Sequence, residues 1–246
     1  RLWKKHIEKN GPATIEVSDE PLTAYTLRHF LDDKSPMPQD FIAPRVLTPG
    51  SLLVLGGAPK VGKSEFLVHL LAHCAAGVPF LNFTPARPMR VFYLQSEIQY
   101  PYLKERLQQL TLPASVINVA ANNLLVTPRV NVLLNENGVD KIVNTIKQHF
   151  PDEPPDIICI DPIRNVFDPE LGSENDNSAM MRFLRERVDQ IQQRVNPECG
   201  IILAHHTRKI GKKELSDDPF QALSGAGSLR GYYSSGLLLY KPDENR

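Results

Sequence analysis

Short apolar runs alternate with longer amphipathic segments along the chain from about residue 41 onwards. The apolar runs predict buried strands at 51–55, 90–95, 156–160, 200–204 and 236–240, with a short strand at 124–126. Apolar residues that recur every three or four positions predict helices at 62–76, 102–110 and 139–150, and a long helix through 181–195. Strands that alternate with helices are typical of a parallel sheet flanked by helices, so the sequence predicts an α/β fold.

The first 40 residues do not follow this alternation. They are mostly polar, and the pattern within them predicts a short helix at 23–31. The proline-containing stretch 35–38 has the composition of a linker. We therefore expect an N-terminal polar and helical segment, 1–40, followed by one large domain, 41–246.

Composition and charge narrow the class of protein. The 246 residues are 41% hydrophobic and 23% charged, as in folded globular proteins. The 28 Lys and Arg residues equal the 28 Asp and Glu residues, which argues against a protein that coats nucleic acid or an anionic membrane through its overall field. No apolar run approaches the ~18 residues of a membrane span, and no signal peptide opens the sequence.

Three cysteines bear on the location of the protein. Cys74, Cys159 and Cys199 lie far apart and lack the spacing of a metal site, so we expect free thiols in a cytoplasmic protein. The sequence begins at Arg1 rather than at a methionine, which suggests a fragment of a longer protein.

A glycine-rich turn joins the first strand of the large domain to its first helix. Residues 57–64 fit the pattern G-x-x-x-x-G-K-[ST], in which backbone N–H groups surround phosphate oxygens at a helix N-terminus. Lys63 is expected to reach the β- and γ-phosphates of ATP, and Ser64 to ligate Mg²⁺. The candidate ATP-binding residues are Gly57, Ala58, Pro59, Lys60, Val61, Gly62, Lys63, Ser64 and Phe66. The alternative is a chance glycine turn between a strand and a helix.

Two carboxylates follow other predicted strands. Asp161 ends an apolar run, where we expect it to help hold Mg²⁺, although such a residue can also cap a turn before Pro162. Glu97 comes just after the strand at 90–95 and is the candidate general base that orients the attacking water. Because the carboxyl ends of parallel strands face the ligand crevice, both residues are expected near the phosphates. For Glu97 the alternative is a solvated loop glutamate.

Together these motifs resemble those of RecA-like P-loop ATPases, and among them the RepA-type hexameric plasmid replicative helicases. The segment at 41–50, the Y-L-x-x-E pattern at 93–97 and the strand that ends in His205 and His206 carry the likeness. The resemblance implies a RecA-like P-loop NTPase fold, with a mostly parallel β-sheet flanked by helices. It also implies a cytoplasmic homo-oligomer, a hexamer, that uses ATP and Mg²⁺ and works as a helicase on single-stranded DNA. The segment 1–40 would then be an oligomerisation arm.

Further residue roles come from the same resemblance. His205 would sense the γ-phosphate with support from His206; a zinc site is the alternative, but no third ligand lies at the usual spacing. Arg106 would lie against the adenine, unless it is an ordinary helix-surface arginine. Gly225 and Ala226 stand near the point where the helicases place an arginine that reaches the neighbouring subunit's nucleotide. Arg230 is therefore the candidate for that catalytic role in trans, with Lys241 as the alternative.

Basic residues after the His pair are candidates for DNA contact. Arg208, Lys209, Lys212 and Lys213 lie where RecA-like motors grip single-stranded DNA, although nearby acidic residues would partly cancel their field. Arg164, after Asp161, is a second candidate. Two other functions stay open: a nucleotide-dependent switch or loader that binds DNA or protein partners with little turnover, and a P-loop phosphotransferase.

Overall fold

A parallel sheet of six strands forms the centre of the fold in the computed structural model, which describes residues 23–207, 217, 220, 223 and 226–241. In chain order the strands are β1 Ile42–Ala43, β2 Leu52–Gly57, β3 Thr84–Pro85, β4 Val91–Gln95, β5 Leu124–Val126, β6 Ile157–Asp161, β7 Gly200–His206 and β8 Ser235–Leu239. The sheet has the order β5-β4-β6-β7-β2-β8, and each neighbouring pair is parallel. β1 and β3 form a separate antiparallel pair.

Helices precede and connect the strands along the chain. They are α1 Leu27–Asp32, α2 Lys63–Ala76, α3 Tyr100–Gln108, α4 Ala114–Asn123, α5 Glu136–His149, α6 Ile163–Val166, α7 Asn177–Phe183, α8 Asp189–Val195 and α9 Ala226–Arg230. α7 and α8 are joined by a π-helical turn, Leu184–Val188, so the long helix predicted through this region is continuous but locally widened. The predicted α/β fold with a parallel sheet flanked by helices is confirmed.

The helix α4 was not predicted, and neither were the short helices α6 and α9. The segment at 112–136 has no clear apolar period, yet α4 occupies Ala114–Asn123. Its N-cap is Pro113, which offers no capping side chain, and Ile117 and Val119 are partly exposed. Because the capping signal is missing and apolar residues face outwards, sequence periodicity alone could not identify this helix.

The two faces of the sheet bury two separate cores. On β4, Phe92 and Leu94 pack on one face with residues of α5, α7 and α8, whereas Val91 and Tyr93 pack on the other face with residues of α2 and α4. This alternation is the two-residue period of a strand. Burial of each large apolar side chain contributes about 1.5–3 kcal/mol, so both faces fix the strand register.

The chain divides into two units, Arg1–Met37 and Pro38–Arg246. The described part of the first unit contains α1, which begins after Thr26, whose hydroxyl accepts a hydrogen bond from the His29 N–H at 3.2 Å. All described residues of α1 are exposed. Within the ranges that the structure describes, no helix has the length and apolar character needed to cross a membrane.

Candidate functional site

The carboxyl ends of four neighbouring strands meet around one cleft. In the sheet, Gly57 of β2 lies beside His206 of β7, and Gln95 of β4 lies beside Asp161 of β6. The cleft has a volume of about 390 Å³ and is lined by Lys60, Gly62, Lys63, Ser64, Glu65, Glu97, Ile98, Arg106, Asp161 and His206. Side chains that lie far apart in sequence are therefore gathered at one edge of the sheet, as expected for an open α/β fold.

The loop between β2 and α2 forms the floor of the cleft. Gly62 is the N-cap of α2 with φ of 103°, a conformation that residues with a Cβ rarely adopt. Since glycine has no side chain to cap the helix, the first-turn N–H groups are left to bind an anion. At Gly57, a Cβ atom would lie 2.8 Å from the Leu239 carbonyl oxygen. Both glycines are thus required by the local backbone.

The P-loop lysine is held against its own loop. Lys63 Nζ donates hydrogen bonds to the carbonyl oxygens of Gly57 at 2.7 Å and Ala58 at 3.1 Å, and lies 3.1 Å from His206 Nδ1. Burial lowers the pKa of Lys63, and the charges of Asp161 and Glu97 partly oppose that shift. An incoming phosphate would offer the ammonium group stronger, charge-assisted hydrogen bonds than these neutral carbonyls.

Asp161 is a buried carboxylate at the end of β6. Its Oδ2 accepts a hydrogen bond from the Tyr93 hydroxyl at 2.7 Å, and burial followed by the charge of Asp161 raises the pKa of Tyr93. The Asp161 carboxylate and the Ser64 hydroxyl both line the cleft and are oxygen donors of the kind that Mg²⁺ prefers. The residues present therefore fit a magnesium ion. The contact from Tyr93 was not predicted, although a tyrosine in a buried strand signals that its hydroxyl needs a partner.

Glu97 lies two residues beyond β4 at the mouth of the cleft. Its side chain is exposed, and its Oε1 accepts a long hydrogen bond of 3.4 Å from Asn165 Nδ2. Asn165 belongs to α6, which follows Asp161. The structure thus brings together Glu97, Asp161, Lys63 and Ser64 as the sequence predicts, while their catalytic roles stay predictions.

The two histidines at the end of β7 lie in different environments. His205 is buried, with 1% of its surface exposed, whereas His206 lines the cleft. Burial, together with the nearby cations of Lys63 and Arg164, lowers the pKa of His206 against the opposing charge of Asp161. The sequence assigned the phosphate contact to His205, but His206 is the imidazole that faces the cleft. His206 is therefore the better candidate for the phosphate contact, while the role of His205 stays a prediction.

The electrostatic link between Lys63 and His206 predicts a change in titration. Replacing Lys63 with methionine removes one cation beside the imidazole, so we expect the pKa of His206 to rise while burial still holds it below its ordinary value. NMR titration of the histidine ring protons measures this shift. Lys104→Met, on the exposed face of α3, is the control and should leave the midpoint unchanged. An unchanged midpoint in Lys63→Met would show that the two groups are not coupled.

Two other residues predicted to bind the nucleotide, Arg106 and Phe66, lie in different surroundings. Arg106 lines the cleft, and its guanidinium lies 3.9 Å from a carboxylate oxygen of Glu65. Phe66 is directed to an aromatic cluster, with ring centroids 5.6 Å from Phe80 and 6.1 Å from Phe83. Phe66 is not among the residues that line the cleft, and its contact with ATP stays a prediction.

Three further predicted residues with described positions, Arg164, Arg230 and Lys241, lie outside the cleft lining. Arg164 is exposed, and its Nε lies 3.5 Å from Glu174 Oε1. Arg230 ends α9 and is exposed, as is Lys241 beyond β8. Arg208, Lys209, Lys212 and Lys213 lie outside the described residues. Among the residues with described positions, no three His, Cys, Asp or Glu side chains are arranged to hold a metal ion by themselves.

Comparisons with known proteins agree with this arrangement. A family model described as AAA domain matches residues 18–212. DNA repair protein RadA from Chlamydia trachomatis is 29% identical over 163 residues, which cover 66% of this chain and 29% of that protein. RadA from Pseudomonas aeruginosa is 26% identical over 165 residues, covering 67% and 30%. The chain thus spans less than a third of the length of these relatives.

Among solved structures, a KaiC-like protein from Pyrococcus horikoshii is similar with a TM-score of 0.48 and 14% identity, covering 80% of this chain and 74% of its own. The family assignment does not depend on that likeness, because the family model alone spans most of the sequence. The parallel sheet, the loop at 57–64 and the cleft they form are those of a nucleotide-binding fold. The chain belongs to the AAA domain family and has the fold of a RecA-like P-loop NTPase.

Proposed function

We propose that this protein is an oligomeric motor that hydrolyses ATP and acts on DNA in the manner of a replicative helicase. One observation carries the proposal. The cleft at the carboxyl edge of the sheet combines the P-loop residues Lys63 and Ser64 with Asp161, Glu97 and His206. A site built only to bind nucleotide needs the P-loop, whereas a carboxylate placed to orient water is what hydrolysis adds.

Each side chain has a defined role in this proposal. The first turn of α2 and Lys63 bind the β- and γ-phosphates, and Lys63 leaves the carbonyl oxygens of Gly57 and Ala58 to do so. Ser64 and Asp161 hold Mg²⁺, which neutralises charge on the phosphates. Glu97 orients the attacking water and accepts its proton. His206 donates a hydrogen bond to an oxygen of the γ-phosphate.

Action on DNA and assembly into a ring are further parts of the proposal. The relatives from two bacteria are DNA repair proteins by name, which supports DNA as the partner. Arg164 is exposed after β6 and is available for a phosphate contact, with the basic residues at 208–213 as further candidates. We propose a homo-hexamer in the cytoplasm, with 1–40 as the arm and Arg230 or Lys241 reaching the neighbouring site.

Glu97→Gln tests the enzymatic part. In the wild type we expect ATP turnover to rise with single-stranded DNA. We expect Glu97→Gln to lower kcat by about 10²–10⁴-fold, because general base catalysis is lost. ATP binding should persist, since Lys63 and the loop at 57–64 are unchanged. Steady-state phosphate release with and without DNA gives kcat, and titration with a fluorescent ATP analogue gives the Kd.

Glu105→Gln on α3 is the matched control and should retain full turnover, because Glu105 is exposed and does not line the cleft. The protein could bind ATP tightly and yet show a turnover that neither rises with DNA nor falls in Glu97→Gln. That result would overturn the motor and favour a switch or loader. Transfer of phosphate to a small acceptor in place of water would favour a phosphotransferase. Mass measurement with ATP and DNA tests the hexamer.

A further inference from the structure

A buried amide lies directly behind the candidate general base. Gln95 ends β4 and has 1% of its surface exposed. Its Nε2 donates hydrogen bonds to the carbonyl oxygens of Ile98 at 2.7 Å and Thr127 at 2.9 Å. Its Oε1 accepts from the backbone N–H groups of Glu97 at 3.1 Å and Ile98 at 2.7 Å. A side-chain amide has two donors and two lone pairs, so the bonding capacity of Gln95 is used completely.

The same corner is attached to the segment that follows the edge strand β5. The Thr127 hydroxyl accepts from the Gln95 N–H at 3.1 Å and donates to the Gln95 carbonyl at 2.9 Å. The Arg129 N–H donates to the Ile98 carbonyl at 2.8 Å. Gln95 is therefore joined to Thr127 through both its side chain and its backbone, and the Glu97–Ile98 corner is held between them.

Glu97 itself has little else to fix it. Its side chain is exposed, and the hydrogen bond from Asn165 is 3.4 Å long. The position of its carboxylate consequently depends on where the backbone of residue 97 is held. Catalytic groups must be held close to their productive geometry, and a displacement of about 1 Å can cost on the order of 10²-fold in rate.

We propose that Gln95 is the positioning residue for Glu97, and that Thr127 completes the support. The inference rests on the proposed function, in which Glu97 orients the attacking water. Gln95 acts through the backbone of residues 97 and 98 and does not touch the nucleotide. Both donors and both acceptors of the amide are needed. A carboxylate at this position would face the carbonyl oxygens of Ile98 and Thr127, and a thioether would leave the N–H groups of Glu97 and Ile98 without their acceptor.

Gln95→Met and Gln95→Glu test the proposal. We expect kcat for ATP to fall by about 10- to 100-fold in both variants as Glu97 loses its geometry. The Kd for ATP should stay near the wild-type value, because the P-loop is untouched. Gln192→Met is the matched control. Gln192 is also buried, with 8% exposed, and its Nε2 donates to the Cys199 carbonyl at 2.6 Å. Cys199 precedes the amino end of β7, whereas the cleft lies at the carboxyl ends of the strands. That variant should lose stability but keep its kcat.

A double-mutant cycle separates positioning from general damage. In a Glu97→Gln background there is no base left to position, so Gln95→Met should not lower the residual turnover further. An equal loss in both backgrounds would overturn the proposal and make Gln95 a structural residue. Thr127→Val is a second variant that preserves side-chain shape and should lower kcat in the same direction by a smaller factor.

The two proposals fail in different ways. Wild-type kcat in folded Gln95→Met, combined with a large loss in Glu97→Gln, would overturn the positioning role and leave the motor intact. Full turnover in Glu97→Gln would overturn the proposed mechanism and the positioning role with it. Thermal unfolding of each variant establishes that the protein measured is folded.

Discussion

Lys63→Met is expected to abolish measurable ATP turnover and to weaken ATP binding by about 10- to 100-fold. Hydrogen bonds to charged groups contribute about 1.5–3 kcal/mol each, and the ammonium group is the cation that the loop presents to the phosphates. The empty protein should resist urea about as well as the wild type, because two effects oppose each other. A methionine removes the cost of burying the charge, which lowers the pKa of Lys63, but it leaves the carbonyl oxygens of Gly57 and Ala58 without this donor.

Lys104→Met, on α3, is the control for Lys63→Met and should leave both turnover and ATP affinity unchanged, since Lys104 is exposed and outside the cleft lining. Phosphate release gives the turnover, isothermal titration with ATP gives the affinity, and urea unfolding measured by circular dichroism gives the stability of the empty protein. Unaltered ATP affinity in Lys63→Met would contradict the assignment of 57–64 as the phosphate site.

Arg187→Met is expected to reduce the free energy of unfolding by about 3–5 kcal/mol, since it leaves a buried carboxylate unpaired. Arg187 Nε and Nη2 both donate to Asp168 Oδ2, at 3.2 and 3.1 Å, and the two side chains are only 11% and 1% exposed. The pair connects the widened turn between α7 and α8 to the segment that follows α6. Urea unfolding measures the loss.

A second ion pair on the same helix provides the control for the buried pair. Arg182 and Glu186 are 3.1 Å apart, but their side chains are 55% and 43% exposed, so Arg182→Met should change stability little. Replacing both charges, as Asp168→Asn with Arg187→Met, should recover part of the lost stability, because no unpaired charge remains and residue 168 can still accept from the Glu170 N–H. If the double variant is less stable than Arg187→Met alone, the attraction between the two charges is larger than the free energy needed to bury them.

Much of the site could be predicted because its parts have fixed sequence relationships to strands. The loop at 57–64 is contiguous, and Asp161 and Glu97 follow apolar runs whose carboxyl ends must share an edge in a parallel sheet. The same logic could not decide between His205 and His206. Adjacent strand residues face opposite sides, so the choice depends on the pairing of β7 with β2, which places His206 beside Gly57.

The support behind Glu97 could not be predicted for a different reason. Gln95 is a polar residue at the end of an apolar run, and a buried amide always requires partners. That signal was present, but Thr127 lies 32 residues away along the chain, beyond a helix that periodicity did not identify. Hydrogen bonds of this kind arise from the tertiary fold and leave no spacing in the sequence. The position of Phe66 near the loop likewise does not reveal that its ring faces Phe80 and Phe83.

The central position of β7 restricts how this site can evolve. β7 lies between β6 and β2 and is paired in parallel with both. An insertion of one residue within it would move His205 into the register position of His206, a deletion would do the reverse, and either would turn apolar side chains of the strand to the wrong face. Lineages that keep this fold are therefore confined to substitutions at the strand ends and to changes of loop length, and we expect β7 to retain its length among relatives whose loops differ widely.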